Sequence, residues 1–108
     1  MTLDQALTQA DSGKQVVYST NGGLKRYLRF QRYGGIVAYA YAYGHKVVTF
    51  TPDGMIVNAC GYEHRITTRE AISYCIAGPH GGLVMYSDKN KIYVRGVPYV
   101  PDMKVDYR

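Results

Sequence analysis

Between Leu3 and Ala10 the apolar positions are Leu3, Ala6, Leu7 and Ala10, the spacing of a helix with one buried stripe. Thr2 stands where a capping hydroxyl is wanted, and Ser12-Gly13 ends the run. The period then changes from helical to alternating. Gln15 to Thr20 reads as a strand closed by Asn21-Gly22-Gly23, and two further alternating segments flank Gly34-Gly35. Val47 to Phe50 and Met55 to Ala59 are β-formers on either side of Thr51-Pro52-Asp53-Gly54. That turn places Pro where a fixed negative φ is wanted and Gly where φ must be positive. A helix follows from Thr67 or Thr68 to Ala77, with a Thr67/Glu70 capping box at its start and Ile72, Cys75 and Ile76 on its buried stripe. Gly78-Pro79 stops it. Leu83 to Tyr86 and Lys91 to Arg95 form another hairpin around Ser87 to Asn90. The tail from Gly96 contains Pro98 and Pro101, so it is extended and at most an edge strand. The sum is a single α+β domain spanning residues 1–108: a largely antiparallel sheet of about six strands with two short helices packed on it.

The segments around Gly34-Gly35 allow a register to be written. A two-residue turn pairs Tyr33 with Ile36, Arg32 with Val37, Gln31 with Ala38, Phe30 with Tyr39, Arg29 with Ala40, Leu28 with Tyr41 and Tyr27 with Ala42. Opposed residues share a face. Leu28, Phe30, Val37, Tyr39 and Tyr41 are then core. Lys25, Tyr27, Arg29, Gln31 and Tyr33 look outward beside Ala38, Ala40 and Ala42, which are too short to hide them. Alternating cations and rings suit stacking on nucleic-acid bases with phosphate contacts alongside, about 1–3 kcal/mol for each stacked base. Tyr and Arg are equally favoured at the centre of protein interfaces. The competing assignment is a solvated face, or one covered by the N-terminal helix, whose Leu3/Leu7 stripe must pack somewhere. The outward surface depends on a tight reversal: a one-residue slip, or a helix over the Arg29 side, takes it away.

Composition adds two facts. Tyrosine occurs 12 times against two phenylalanines and no tryptophan, which favours half-wet sheet faces and binding surfaces alike. The formal net charge is +5, with Lys and Arg gathered in Lys25 to Arg32 and in Arg65 to Arg69; a basic balance suits a polyanionic partner and also serves solubility. A hydrophobic content of 46% with 19% charged residues is that of a globular chain. Met1-Thr2-Leu3-Asp4-Gln5 has neither the basic nor the apolar region of a secretion signal, and no apolar run reaches the roughly 20 residues of a membrane span. A cytoplasmic setting without a membrane partner follows, in which Cys60 and Cys75 are expected as free, buried thiols.

Cys60, His64, Cys75 and His80 are metal-ligand types, but the set lacks a paired-Cys knuckle, and Cys75 belongs to the buried helix stripe. Neither metal nor cofactor is expected. Nucleophilic catalysis needs a Cys or Ser beside a base that a third group orients. There is no G-x-S-x-G elbow, His45, His64 and His80 sit on unrelated turns, and nothing supports a Cys60–His64 dyad. The carboxylates occupy turns, termini and caps. The expectation is a protein that is not an enzyme and has no catalytic residues. Gly78-Pro79-His80-Gly81-Gly82 follows a helix rather than opening one, so it is no phosphate cradle. A better anion site is the start of the Thr67–Ala77 helix with Arg65, Arg69 and His64, although Thr67 and Glu70 compete for the same amides. The candidate binding residues are Lys25, Tyr27, Arg29, Tyr33, Arg65 and Arg69.

Asp53-Gly54-Met55-Ile56, Gly61-Tyr62, Thr67-Thr68, Ile72 and Lys91-Ile92-Tyr93-Val94 together resemble a family of small bacteriophage accessory proteins with no established activity. The pattern covers about half the chain, with Glu63-His64-Arg65 where a Thr is usual after Tyr62 and Ser73 where an Asn is frequent. The resemblance implies a phage origin and an accessory gene; with the small size and the lack of catalytic groups, it leads to the expectation of action by binding in a host cytoplasm. The first expectation is an inhibitor or modulator of a host defence system, such as a CRISPR complex, through contact with a host protein or ribonucleoprotein. The alternative is a nucleic-acid or nucleotide-signal binding protein using the basic Tyr/Arg sheet face. A homodimer is compatible with either.

Overall fold

Three alanines, Ala38, Ala40 and Ala42, fix how this chain is layered. The computed structural model describes residues 1–19 and 23–107. Its elements run α1 (Leu3–Ser12), β1 (Val16–Ser19), β2 (Lys25–Tyr33), β3 (Val37–Ala42), β4 (His45–Thr51), β5 (Gly54–Val57), α2 (Ile66–Ala77), β6 (Met85–Asp88), β7 (Lys91–Val94), β8 (Val97–Pro98) and β9 (Met103–Val105). A six-stranded antiparallel sheet has the order β1-β2-β3-β4-β5-β9, and a three-stranded sheet has the order β6-β7-β8. The architecture is the expected α+β one. Thr20 and the Asn21-Gly22 pair expected to close the first strand lie outside the described residues. Among the described residues no helix is long and apolar enough to cross a membrane.

The β2–β3 register differs from the expected one by one residue. Tyr33 pairs with Val37, Arg32 with Ala38, Gln31 with Tyr39, Phe30 with Ala40 and Arg29 with Tyr41, so the loop is Gly34-Gly35-Ile36. Both glycines have positive φ, 63° and 82°, and Ile36 is left exposed. The faces of β3 are therefore reversed: Ala38, Ala40 and Ala42 are buried, while Tyr39 and Tyr41 look outward. Packing explains the slip. Helix α1 lies against β2 and β3 with Ala6 fully buried, an approach that alanines permit and tyrosine rings would block. Strand β2 keeps the expected faces, since Leu28 and Phe30 are core residues. The slip consequently leaves Lys25, Tyr27, Arg29 and Tyr33 outward instead of removing that surface.

Helix α1 is capped as its sequence requires. Thr2 Oγ1 accepts from the Gln5 N–H at 3.1 Å, and Gln5 Oε1 accepts from the Thr2 N–H at 2.8 Å. Arg32 ties the helix end to the hairpin tip. Its Nε and Nη2 donate to the two oxygens of Asp11 at 2.8 and 2.6 Å, and its Nη1 donates to the Gly35 carbonyl at 2.7 Å. A β-bulge between β3 and β4 turns both Val47 and Val48 inward. In the Asp-Gly hairpin, Gly54 has φ 141°, and a Cβ there would stand 3.1 Å from the Val105 carbonyl oxygen; β9 docks that closely only against glycine.

Helix α2 buries Ile72, Cys75 and Ile76 as expected, but its start differs. The N-cap is Arg65, and no side chain caps the first turn. Consecutive turns, with the Tyr62 N–H on the Ala59 carbonyl at 2.9 Å and the Arg65 N–H on the Tyr62 carbonyl at 3.0 Å, wind directly into the helix. Thr67 is then already helical and Thr68 buried, so the Thr67/Glu70 capping box does not form. The small sheet is fastened to α2 by Ser73, whose buried hydroxyl accepts from the Val84 and Met85 N–H groups at 3.1 and 3.0 Å. The β6–β7 loop is only Lys89-Asn90, tighter than expected. The tail supplies an edge strand to each sheet, β8 and β9, and Tyr99 Oη accepts from the Ala59 N–H at 2.8 Å.

Two outcomes follow. Ala40→Leu should lower unfolding free energy in urea by about 1–3 kcal/mol through overpacking beneath α1, more than Tyr41→Ala does; the two-residue-turn register demands the opposite order. The Arg32 guanidinium holds the Asp11 carboxyl below the usual carboxylate range. Its folded value is depressed, so its contribution is complete above the ordinary value and is lost as pH falls through the lowered one; stability of Asp11→Asn should therefore fall less steeply on acidification.

Candidate functional site

Both helices pack on one side of the large sheet, and the other side is uncovered. Alternation from the observed pairings sends Lys25, Tyr27, Arg29, Gln31 and Tyr33 of β2 outward, with Tyr39 and Tyr41 of β3, Lys46 and Thr49 of β4, Ile56 of β5 and Lys104 of β9. Two rows cross the strands: Arg29–Tyr41–Lys46, and Gln31–Tyr39–Thr49–Ile56–Lys104. Among the described residues no outward strand position of the six-stranded sheet holds a carboxylate.

The rings at the centre are ordered by one another and by cations. Tyr33 stacks on Tyr39 with centroids 5.3 Å apart and planes at 26°, and Tyr39 meets Tyr41 edge-on at 6.4 Å. The Arg29 guanidinium lies 4.2 Å from the Tyr41 centroid, and Lys46 Nζ lies 4.3 Å from that of Tyr39. Tyr27 and Tyr33 remain 53% and 61% exposed, so ring faces are available to a ligand. The groove beside Lys25, Tyr27, Arg29 and Tyr41 encloses about 370 Å³.

The structure thus brings four of the sequence-selected residues, Lys25, Tyr27, Arg29 and Tyr33, onto one surface, and adds Tyr39, Tyr41 and Lys46. Two tyrosines expected in the core are instead its centre. Arg65 lines a separate cleft at the start of α2, with its guanidinium 5.7 Å from the Tyr62 ring. Arg69 does not join it: its Nη1 donates to the Glu63 carbonyl at 3.0 Å, which holds the approach to α2. His64 is exposed and outside the cleft.

The thiols part company. Cys75 is sealed in the core, where burial pushes its pKa up to about 12. Cys60 is exposed, contrary to the expectation of two buried thiols, because the chain reverses there with φ 55°. Its Sγ donates to the Lys46 carbonyl at 3.5 Å, and partial burial raises its pKa. Cys60, His64 and His80 are exposed and Cys75 is interior; among the described residues no three metal-ligating side chains gather at a metal-holding distance. No family model, curated protein or solved structure matches this chain.

In the folded protein an alkylating reagent at mildly alkaline pH should modify Cys60 alone, and Cys75 should react only after denaturation. Mass spectrometry of the tryptic peptides checks this, and native-state labelling of Cys75 contradicts the packing described.

Proposed function

We propose that this chain binds single-stranded nucleic acid across the uncovered face of the large sheet. Bases stack on Tyr27, Tyr33, Tyr39 and Tyr41, and phosphates meet Lys25, Arg29, Lys46 and Lys104. The observation that carries the reading is a sheet face with tyrosines at its centre, cations among them and no carboxylate on its outward strand positions. In the free protein Arg29 and Lys46 rest over rings. A stacked base takes the place of the cation, which swings to the adjoining phosphate, so the ion–ring contacts are exchanged rather than lost. Sheet faces with exposed rings recognise single strands in this way, because every base has a π-face and every nucleotide a phosphate.

The host-directed inhibitor expected from the phage-like residue pattern would use the same surface against a protein. Tyr and Arg suit such a contact. A face whose cations are unbroken by carboxylates fits a uniform polyanion better than a protein surface, where charges of both signs alternate.

The test is fluorescence anisotropy with an oligothymidylate of about 15 nucleotides across a salt series. Affinity should fall linearly with salt on a log–log plot, and Arg29→Ala or Lys46→Ala should each reduce the slope by about 0.7. Tyr39→Ala should weaken binding by about 1–3 kcal/mol with little change in slope. Absence of binding at low salt, or binding indifferent to all three substitutions, overturns the reading. A nuclease-resistant protein complex isolated from bacterial lysate without oligonucleotide binding would support the inhibitor instead.

A further inference from the structure

Next to the groove on the sheet face, a cleft of about 470 Å³ opens between the β3–β4 turn, the first residues of β2 and the start of α2. Its size is that of a small-molecule site. Arg26, Tyr43, His45, Tyr62, Arg65 and Thr67 line it, and no carboxylate is among the lining residues. We propose that this cleft binds a phosphate monoester attached to a planar ring, as presented by a free mononucleotide or by the phosphorylated end of a nucleic-acid strand.

The charge arrangement selects the phosphate. Arg26 and Arg65 reach the cleft from positions 39 apart in sequence, so the fold brings two arginines to a space with no carboxylate among its lining residues. Arg26 Nε is shut off from solvent and has no hydrogen-bond acceptor. Arg69 Nε, outside the cleft lining, is in the same condition, so what Arg26 brings to the cleft is its positive charge at the wall. The first turn of α2 adds Thr67 and Thr68 to the wall, and no side chain caps it. Glu70, which the sequence placed as a competitor for those amides, takes no part in a cap. Amide groups, the positive end of the helix and guanidinium forks together are what a phosphate dianion requires.

The rings select the second half of the ligand. His45 and Tyr62 stand 5.0 Å apart at 42°, with Arg65 beside Tyr62. Tyr43 lies at the mouth in a left-handed conformation, φ 53°, in the two-residue turn Tyr43-Gly44. A bulky side chain is strained there, and glycine would relieve it. The Lys89-Asn90 and Arg95-Gly96 turns share this left-handed pair, so the conformation belongs to the tight hairpin, and what Tyr43 brings to the cleft is its ring. Tyr43 and Arg26 also line the groove that holds Lys25, Tyr27, Arg29 and Tyr41, so the cleft opens onto the sheet face. A strand lying across that face can therefore place its terminal nucleotide in the cleft, whereas a mononucleotide needs the cleft alone.

Titration calorimetry with AMP, and anisotropy with one oligonucleotide in unphosphorylated, 5′-phosphorylated and 3′-phosphorylated forms, separates the sources. For a strand end, one phosphorylated form should bind about tenfold tighter than the unphosphorylated one, the effect of one or two charge-assisted hydrogen bonds. Arg65→Ala should abolish that preference while leaving the unphosphorylated affinity within about twofold. For a free nucleotide, AMP should bind and Arg65→Ala should remove the binding. Tyr43→Gly should weaken either ligand without lowering the melting temperature, which excludes unfolding as the cause. The inference is overturned if neither AMP nor a terminal phosphate is recognised, or if recognition survives both Arg65→Ala and Arg26→Lys. Unphosphorylated oligonucleotide binding with no phosphate effect sinks the cleft alone. AMP binding without oligonucleotide binding sinks the sheet-face reading alone.

Discussion

The close seat of α1 on β2 and β3, where β3 turns Ala38, Ala40 and Ala42 inward, is the constraint from which the remaining organisation follows. A helix can approach a sheet this near only where side chains are small on both partners, and Ala6 meets that condition from the helix side. With the alanines committed inward, alternation leaves Tyr39 and Tyr41 no place but the opposite face. The extra residue in the Gly34-Gly35-Ile36 loop accommodates this parity. Arg32 then secures it, bridging Asp11 at the end of α1 to the Gly35 carbonyl. Helix, hairpin tip and strand register form one mechanical unit.

Charge is distributed to match. Asp4 and Asp11 lie on α1, Glu70 on α2, Asp88 on β6 of the small sheet, and Asp53, Glu63, Asp102 and Asp106 outside the helices and strands. The outward strand positions keep Lys25, Arg29, Lys46 and Lys104 without acidic company. The net charge of +5 is therefore expressed chiefly on one side, among exposed and half-buried rings. Arg26 belongs to the same strand as that surface but to its inner parity, which places its charge on the helix side of the sheet, near the start of α2.

Elements governed by local chemistry were legible in the sequence. The Thr2 cap, the Ser12-Gly13 stop, the Asp-Gly hairpin and the buried stripe of α2 all depend on residues within a few positions of one another. The β2 half of the candidate surface was legible for the same reason, because Leu28 and Phe30 alternate with Lys25, Tyr27, Arg29 and Tyr33. Its β3 half was not. Ala and Tyr alternate there, and hydrophobicity alone assigns the larger residue to the core. The missing signal was steric: an alanine stripe two residues apart marks a strand that a helix will press against. The start of α2 was misplaced because Thr67-x-x-Glu70 imitates a capping box, whereas the turns from Ala59 to Arg65 begin the helix sooner. Arg26 converging with Arg65, and Lys46 with Tyr39, are products of tertiary folding across strands.

Ring-resolved NMR provides the most direct measurement of the central claim, that alanine packing turns a tyrosine cluster outward to bind single strands. On titration with an oligothymidylate, the ring resonances of Tyr27, Tyr33, Tyr39 and Tyr41 should move together, while those of Tyr74, Tyr86, Tyr93 and Tyr107 stay in place. Shifts confined to the second group, or none at saturating oligonucleotide, would contradict the account.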